Sequence, residues 1–121
     1  MTATAKLEKA EEFFLLADVS APSEWDAAVS LAVSAGINAA DVIILLKTGN
    51  FGGGEHDGAV RTLKRLGYGT EASQLSFLLR LKSTAQYSAR RCTLSEAEDC
   101  LKRAARLLGS ARDVMRVETE S

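Results

Sequence analysis

A single proline, Pro22, stands in a chain of 121 residues, and no other feature constrains the fold as much. Proline inside a helix costs about 3 kcal/mol, so everything beyond residue 22 is free to be helical. The apolar residues use that freedom. Between Thr4 and Asp18, Leu7, Ala10, Phe14 and Ala17 recur at helical spacing with Phe13 alongside, while Glu8, Glu11 and Glu12 share the other side. This predicts an amphipathic first helix. Asp18 to Ser23 breaks it, with Pro22 as the stop and Ser23 as N-cap of the next helix.

A long second helix is expected over Glu24–Lys47, with Gly49 just past its end. It is apolar on most sides through Trp25, Val29, Leu31, Val33, Ile37, Val42, Ile43 and Leu46. Gly36 costs about 1 kcal/mol against alanine inside a helix, so a close crossing through Ala32, Ala35, Gly36 and Ala39 is the expected compensation. Asp26, Ser30, Ser34, Asn38 and Asp41 form a polar line at three- and four-residue spacing. That line reads either as a solvated stripe or as the wall of an internal cleft.

The segment Gly49–His56 contains three consecutive glycines and reads as a loop. No Gly-Lys-Ser/Thr triplet follows, so it is not a Walker phosphate loop. A short helix over Asp57–Leu66 then ends at Gly67-Tyr68-Gly69. Thr70 is expected to cap a fourth helix running to Tyr87, deeply packed through Leu75, Phe77, Leu78, Leu79, Leu81 and Ala85. Lys82 falls within that apolar arc, so it either snorkels to the helix end or meets a carboxylate, with Asp41 one conceivable partner. Thr93-Leu94-Ser95-Glu96 has the form of a capping box. Leu94, Ala97, Leu101, Ala104, Leu108, Ala111 and Met115 then make a heptad seam, which packs within the bundle or against another copy. The fifth helix is expected to end near Val117, leaving Glu118 to Ser121 frayed.

These elements predict an all-α fold, a four- to five-helix up-and-down bundle in one domain spanning 1–121. No unbroken apolar run approaches the ~20 residues that span a bilayer, and Met1 to Lys9 lacks the apolar core of a signal peptide. A cytoplasmic protein is expected, with no membrane partner. The two cysteines, Cys92 and Cys100, are read as reduced thiols: eight residues along one helix is about 12 Å of rise, too far for a disulfide, and only the placement of Cys92 before the helix leaves a bridge open. One histidine and two cysteines give no zinc-ligand spacing, and no metal or other cofactor is expected.

Net charge is −1 overall, but it is unevenly spread. Residues 1–60 hold three Lys and nine Asp or Glu, for −6, whereas residues 61–121 hold twelve Lys or Arg and seven Asp or Glu, for +5. A basic half of this kind suits an anionic partner, and it equally suits attraction between two halves or two subunits. The candidate binding segment is the end of the fourth helix together with the link after it: Arg80, Lys82, Gln86, Tyr87, Arg90 and Arg91. Arginines beside an exposed aromatic can hold single-stranded nucleic acid, phosphates on guanidinium groups and a base on the ring. Lys102, Arg103, Arg106 and Arg112 read as a solvated face. His56 and Asp41 are possible accessory residues.

The chain resembles the HEPN family of small all-helical proteins. The resemblance is carried by Leu7-Glu8-Lys9-Ala10-Glu11-Glu12-Phe13, by the run from Ala27 to Asp41, by Gly54-Glu55-His56-Asp57-Gly58-Ala59-Val60, and by Leu81-Lys82-Ser83-Thr84-Ala85-Gln86-Tyr87. It implies a helical bundle that forms a homodimer. It also implies one of three roles: metal-independent ribonuclease, toxin-antitoxin-like component with a protein partner, or non-catalytic binder of RNA or nucleotides. The family's nucleases carry Arg, four to six residues, then His. Here the only histidine, His56, precedes the first arginine, Arg61, so that motif is missing. The expectation is a non-catalytic homodimer that binds RNA or DNA, with a protein-interaction module as the alternative. No catalytic residue is assigned, and an enzyme built on His56, Lys82 and Tyr87 has no spacing to specify its reaction.

Overall fold

The computed structural model describes residues 2–50 and 56–120, apart from the side chains of His56, Asp57 and Glu120. The glycine run at 52–54, and with it part of the expected loop, lies outside the described residues. The described chain is all-helical: α1 (Ala3–Ser20), α2 (Trp25–Thr48), α3 (His56–Arg65), α4 (Gly69–Tyr87) and α5 (Leu94–Glu120). These five helices pack together as a bundle, with α2 touching each of the other four.

Helix α2 is central because its sequence is apolar nearly all round. Ala28, Val29, Ala32, Val33, Ala35, Gly36, Ala39, Ala40, Val42, Ile43 and Ile44 are all buried, and Leu63, Leu75, Leu78, Leu107 and Leu108 complete the core from the neighbouring helices. The expected close crossing occurs at Gly36. A Cβ there would overlap Leu78 Cδ1 and lie 3.3 Å from Leu107 Cδ1, so the missing side chain is what lets α4 and α5 approach. The same helix corrects the expectation that no segment could span a bilayer. Trp25–Thr48 is long and apolar enough by length and composition, with an 18-residue window of mean hydropathy 2.0, because its polar line is mostly uncharged. Core helices pass the same test, and 56% of that stretch is buried inside the bundle.

The polar line of α2 is neither of the two alternatives. Asp26, Ser30, Ser34, Asn38 and Asp41 are all half-buried, because neighbouring elements cover the line without sealing it. Asn38 Nδ2 donates to its own helix at Ser34 O, 2.8 Å away. Lys6 Nζ of α1 donates to Asp41 Oδ2 at 2.9 Å.

Side-chain caps open α1 and α5, whereas backbone bonds alone set the starts of α2 and α4. Ser23 is not the N-cap of α2. Backbone bonds from Ser23 N and Glu24 N to Ser20 O close that connection, and Glu24 takes the cap position. Thr70 is not the cap of α4 either. At the end of α3, Tyr68 N donates to Leu63 O and Gly67 N to Lys64 O, the paired bonds of a Schellman ending, with Gly67 at φ 89°. Tyr68 thereby serves as the last residue of one motif and the cap position of α4, which places Thr70 inside the first turn. The capping box of α5 forms as expected: Glu96 N donates to Thr93 Oγ1 at 3.1 Å and Thr93 N to Glu96 Oε1 at 2.9 Å.

Helix α5 reaches Glu120, beyond the expected end at Val117, and Lys47 Nζ of α2 holds its last turn through Glu118 Oε1 at 3.1 Å. Its heptad seam is used inside the chain, since Ala97, Ala104, Leu108 and Ala111 are buried against the other helices. Leu101 and Met115 are half-buried and Leu94 is exposed, so the middle of the seam is used within the bundle and its start is not. Helix α4 is less enclosed than expected. Leu75 and Leu78 are buried, but Phe77, Leu79, Leu81 and Ala85 are only half-buried. Cys92, just before α5, and Cys100 within it are both buried free thiols. Burial pushes the first up to about 11 and the second up to about 12, so both stay protonated at neutral pH.

Candidate nucleic-acid interface

The six expected binding residues fall into two groups with different fates. Arg90 and Arg91 lie in the link between α4 and α5, and carboxylates already hold both. Arg90 donates from Nη1 and Nη2 to the two oxygens of Glu96 at 3.0 and 3.1 Å, and from Nη1 to Arg91 O at 3.2 Å. Arg91 Nε stands 3.8 Å from Asp26 Oδ2. The link is tied to α2 by Cys92 N, which donates to Asp26 Oδ1 at 2.7 Å. These contacts leave their mark on acidity. The Cys92 backbone bond, aided by the two arginines, holds the Asp26 carboxyl below its ordinary range. The Arg90 bond and the Thr93 backbone do the same for Glu96. Arg90 and Arg91 thus serve first as structural ties, which weakens them as phosphate ligands.

Arg80, Lys82, Gln86 and Tyr87 lie on the last turns of α4. Asp41 is not the partner of Lys82, because α1 delivers Lys6 to it. Lys82 is half-buried and makes no hydrogen bond or ion pair with the described residues. Half-burial without a carboxylate partner fits snorkelling. Gln86 is exposed, and Tyr87 is 80% exposed. Arg80 and Tyr87 are seven residues apart, which puts them on one solvent face about 10 Å apart along the axis. His56 is the first residue of α3, and its side chain lies outside the described residues, as does any accessory role for it.

The structure adds a feature that the sequence reading missed. Val60 and Arg61 of α3 and Ser76, Leu79 and Arg80 of α4 line an open hollow of about 340 Å³. Two arginines and a serine thus line it together with two apolar residues. Neither arginine has a carboxylate partner among the described residues. Lys64 and Arg65 continue the exposed basic face of α3 beyond Arg61. Residues 58–87 hold five Lys or Arg and one Asp or Glu, a net +4. The single acid, Glu71, is engaged by Ser110 Oγ at 2.8 Å. The signal was present in the sequence as Arg61, Lys64 and Arg65 at spacings of three and four. It could not be tied to Arg80 without the packing of α3 on α4.

Arg80 is steadied from below, its guanidinium carbon lying 5.3 Å from the Phe77 ring centroid. Arg103 of α5 sits at 4.4 Å from the same ring and donates from Nη1 to Gln74 Oε1 at 3.2 Å. Arg103 is therefore a packing residue and not part of a solvated face. Lys102, Arg106 and Arg112 are exposed as expected, with Arg112 pairing at the surface with Glu11 of α1 at 3.3 Å.

Chemically, the α3–α4 hollow is suited to holding an anion. Its described lining contains neither a nucleophile–base pair nor a carboxylate, and no three His, Cys, Asp or Glu side chains cluster as metal ligands among the described residues. Comparison of the whole sequence with protein-family models and with curated proteins finds no match.

Proposed function

We propose that this chain is a non-catalytic, HEPN-like helical protein of the cytoplasm that holds single-stranded RNA, or another single-stranded nucleic acid, on its α3–α4 face. The observation that carries this reading is the hollow shared by Arg61, Ser76 and Arg80, in a stretch of chain (58–87) with five cations and one acid; on its other side Arg80 shares a second hollow with Glu96 and Asp99 of α5. Guanidinium groups without an ion-pair partner are suited to bind phosphate oxygens. Tyr87, exposed on the same face of α4 as Arg80, offers a ring on which a base can stack. Arg90 and Arg91 contribute charge at the edge but are secondary, because each already faces a carboxylate.

The test is a fluorescence-anisotropy titration of labelled single-stranded RNA and DNA at low and moderate salt, followed by a gel of the recovered strand. The reading expects binding that weakens steeply with salt, intact RNA, and loss of affinity on replacing Arg61 and Arg80 by alanine. Salt-insensitive binding, or binding indifferent to that pair, sinks the reading. Cleavage that tracks the pure protein overturns its non-catalytic part.

A further inference from the structure

Helix α1 rests on α2 and α5 through Ala3, Ala10 and Ala17, and it touches neither α3 nor α4. Its opposite face has no neighbour among the described residues, yet it is not a plain solvated surface. At 100° per residue, Glu8, Glu12, Leu15, Leu16 and Val19 fall within an arc of about 100° directly opposite Ala10 and Ala17. Leu15 is 63% exposed, Leu16 46% and Val19 71%. Exposed apolar residues scattered singly need no explanation, but three large ones side by side on the outward face of one helix mark a contact surface. They are not needed for the core, since α1 packs on it through Ala3, Ala10 and Ala17 with Leu7, Phe13 and Phe14 beside them.

Charge defines what fits that surface. Glu8 and Glu12 extend the face by two turns toward the N-terminus and make no ion pair with the described residues, whereas Glu11, to one side, is taken by Arg112. The nearby Lys6 is turned inward to Asp41, and Lys9 stands at the edge of the arc. The face is therefore apolar at one end and anionic at the other. We propose that it docks an amphipathic helix of a protein partner, one whose apolar residues meet Leu15, Leu16 and Val19 and whose Lys or Arg residues meet Glu8 and Glu12.

A second copy fits less well. Parallel α1 helices would set Glu8 against Glu8 and Glu12 against Glu12. Antiparallel helices joined at Leu15 and Leu16 would set Glu12 against Val19 and carry Glu8 past the partner's Ser20, with no cation to meet either. Phosphate-bearing surfaces are repelled by the same carboxylates. The α1 face and the α3–α4 hollow lie on elements that do not touch, so the chain can hold a protein and a nucleic acid at once.

The experiment titrates the full chain into a labelled amphipathic helical peptide of leucine and lysine, and into the same peptide with every lysine replaced by glutamate. The lysine peptide binds and the glutamate peptide does not. Leu15→Ser with Val19→Ser weakens the lysine peptide by about tenfold or more, and Glu8→Lys with Glu12→Lys reverses the preference between peptides. All four positions are exposed, so circular dichroism of the variants stays unchanged. Equal binding of the two peptides, no binding of either, or binding indifferent to both pairs of substitutions overturns the proposal. Sedimentation of the chain alone supplies the last arm: self-association abolished by Leu15→Ser with Val19→Ser makes a second copy the occupant and overturns it as well.

Discussion

The backbone N–H of Cys92 donates to Asp26 Oδ1 at 2.7 Å, so the link before α5 is bolted to the first turn of α2 across 66 residues of sequence. The same carboxylate faces Arg91, and Glu96 gathers Arg90 and Thr93 beside it. Two carboxylates thus hold a segment that has no regular structure of its own.

That arrangement sets an acid dependence. Asp26 and Glu96 are held below their ordinary values of 3.8 and 4.5. A carboxyl with a lowered folded pKa gives its full stabilisation above the unfolded value and loses it as pH falls through the folded one. Stability is expected to be flat near neutrality and to drop as pH passes below about 4. Asp26→Asn should remove part of that drop and cost about 1 kcal/mol at neutral pH, since the group is a third exposed and water competes for it. Urea melts of both proteins from pH 7 to pH 3 check this, and an unchanged acid profile in the variant would contradict it.

Gly36→Ala should destabilise the protein although alanine is the better helix former. The propensity gain is about 1 kcal/mol, but the new Cβ must displace Leu78 Cδ1 within a closed core, and overpacking of this kind costs about 1–3 kcal/mol. A net loss of about 1 kcal/mol, or roughly 4 °C in Tm, is expected. In a Leu78→Val background the penalty should shrink, because the clashing methyl is gone. A stabilised single variant would refute the close crossing.

Arg103→Ala should cost about 1 kcal/mol through loss of the Phe77 face and the Gln74 bond. Lys102→Ala, one residue away and exposed, should stay within about 0.5 kcal/mol of the parent. Thermal unfolding of the two variants side by side separates a packing arginine from a solvated lysine.

Replacing Arg61 and Arg80 by alanine should weaken RNA binding more than replacing Arg90 and Arg91, and should lower the salt slope by about one to two units. The Arg90 and Arg91 variant should instead lose thermal stability, because it empties Glu96 and Asp26 of their partners. Paired anisotropy and melting curves read both effects, and the opposite ordering would return the site to the link.

Neither cysteine should react with a thiol reagent in the folded protein, and both should react once it is unfolded. Both are buried, with thiols pushed up to about 11 and about 12, so thiolate is scarce and access is closed. Mass spectrometry after brief alkylation with and without urea settles the point.

The helices themselves were legible in the sequence because local rules write them. Apolar spacing, a lone proline, Gly49 and Gly67 past helix ends, and the Thr93–Glu96 box all act within a few residues. The crossing at Gly36 was legible for the same reason, since a glycine inside a helix calls for a neighbour. Ser23 and Thr70 misled because backbone bonds from the adjoining turns had already closed those ends.

What tertiary structure alone decided was which charge meets which. Asp41 takes Lys6 and not Lys82, Arg90 and Arg91 are engaged by Glu96 and Asp26, and Arg103 turns from solvent to the Phe77 ring. Arg61 and Arg80 become one hollow only because α3 packs on α4. Helical periodicity fixes the direction of a side chain about its own axis, whereas a charge pair depends on the rotation and offset of two helices. Those are set by how the apolar faces interlock, and no single stretch of sequence contains them.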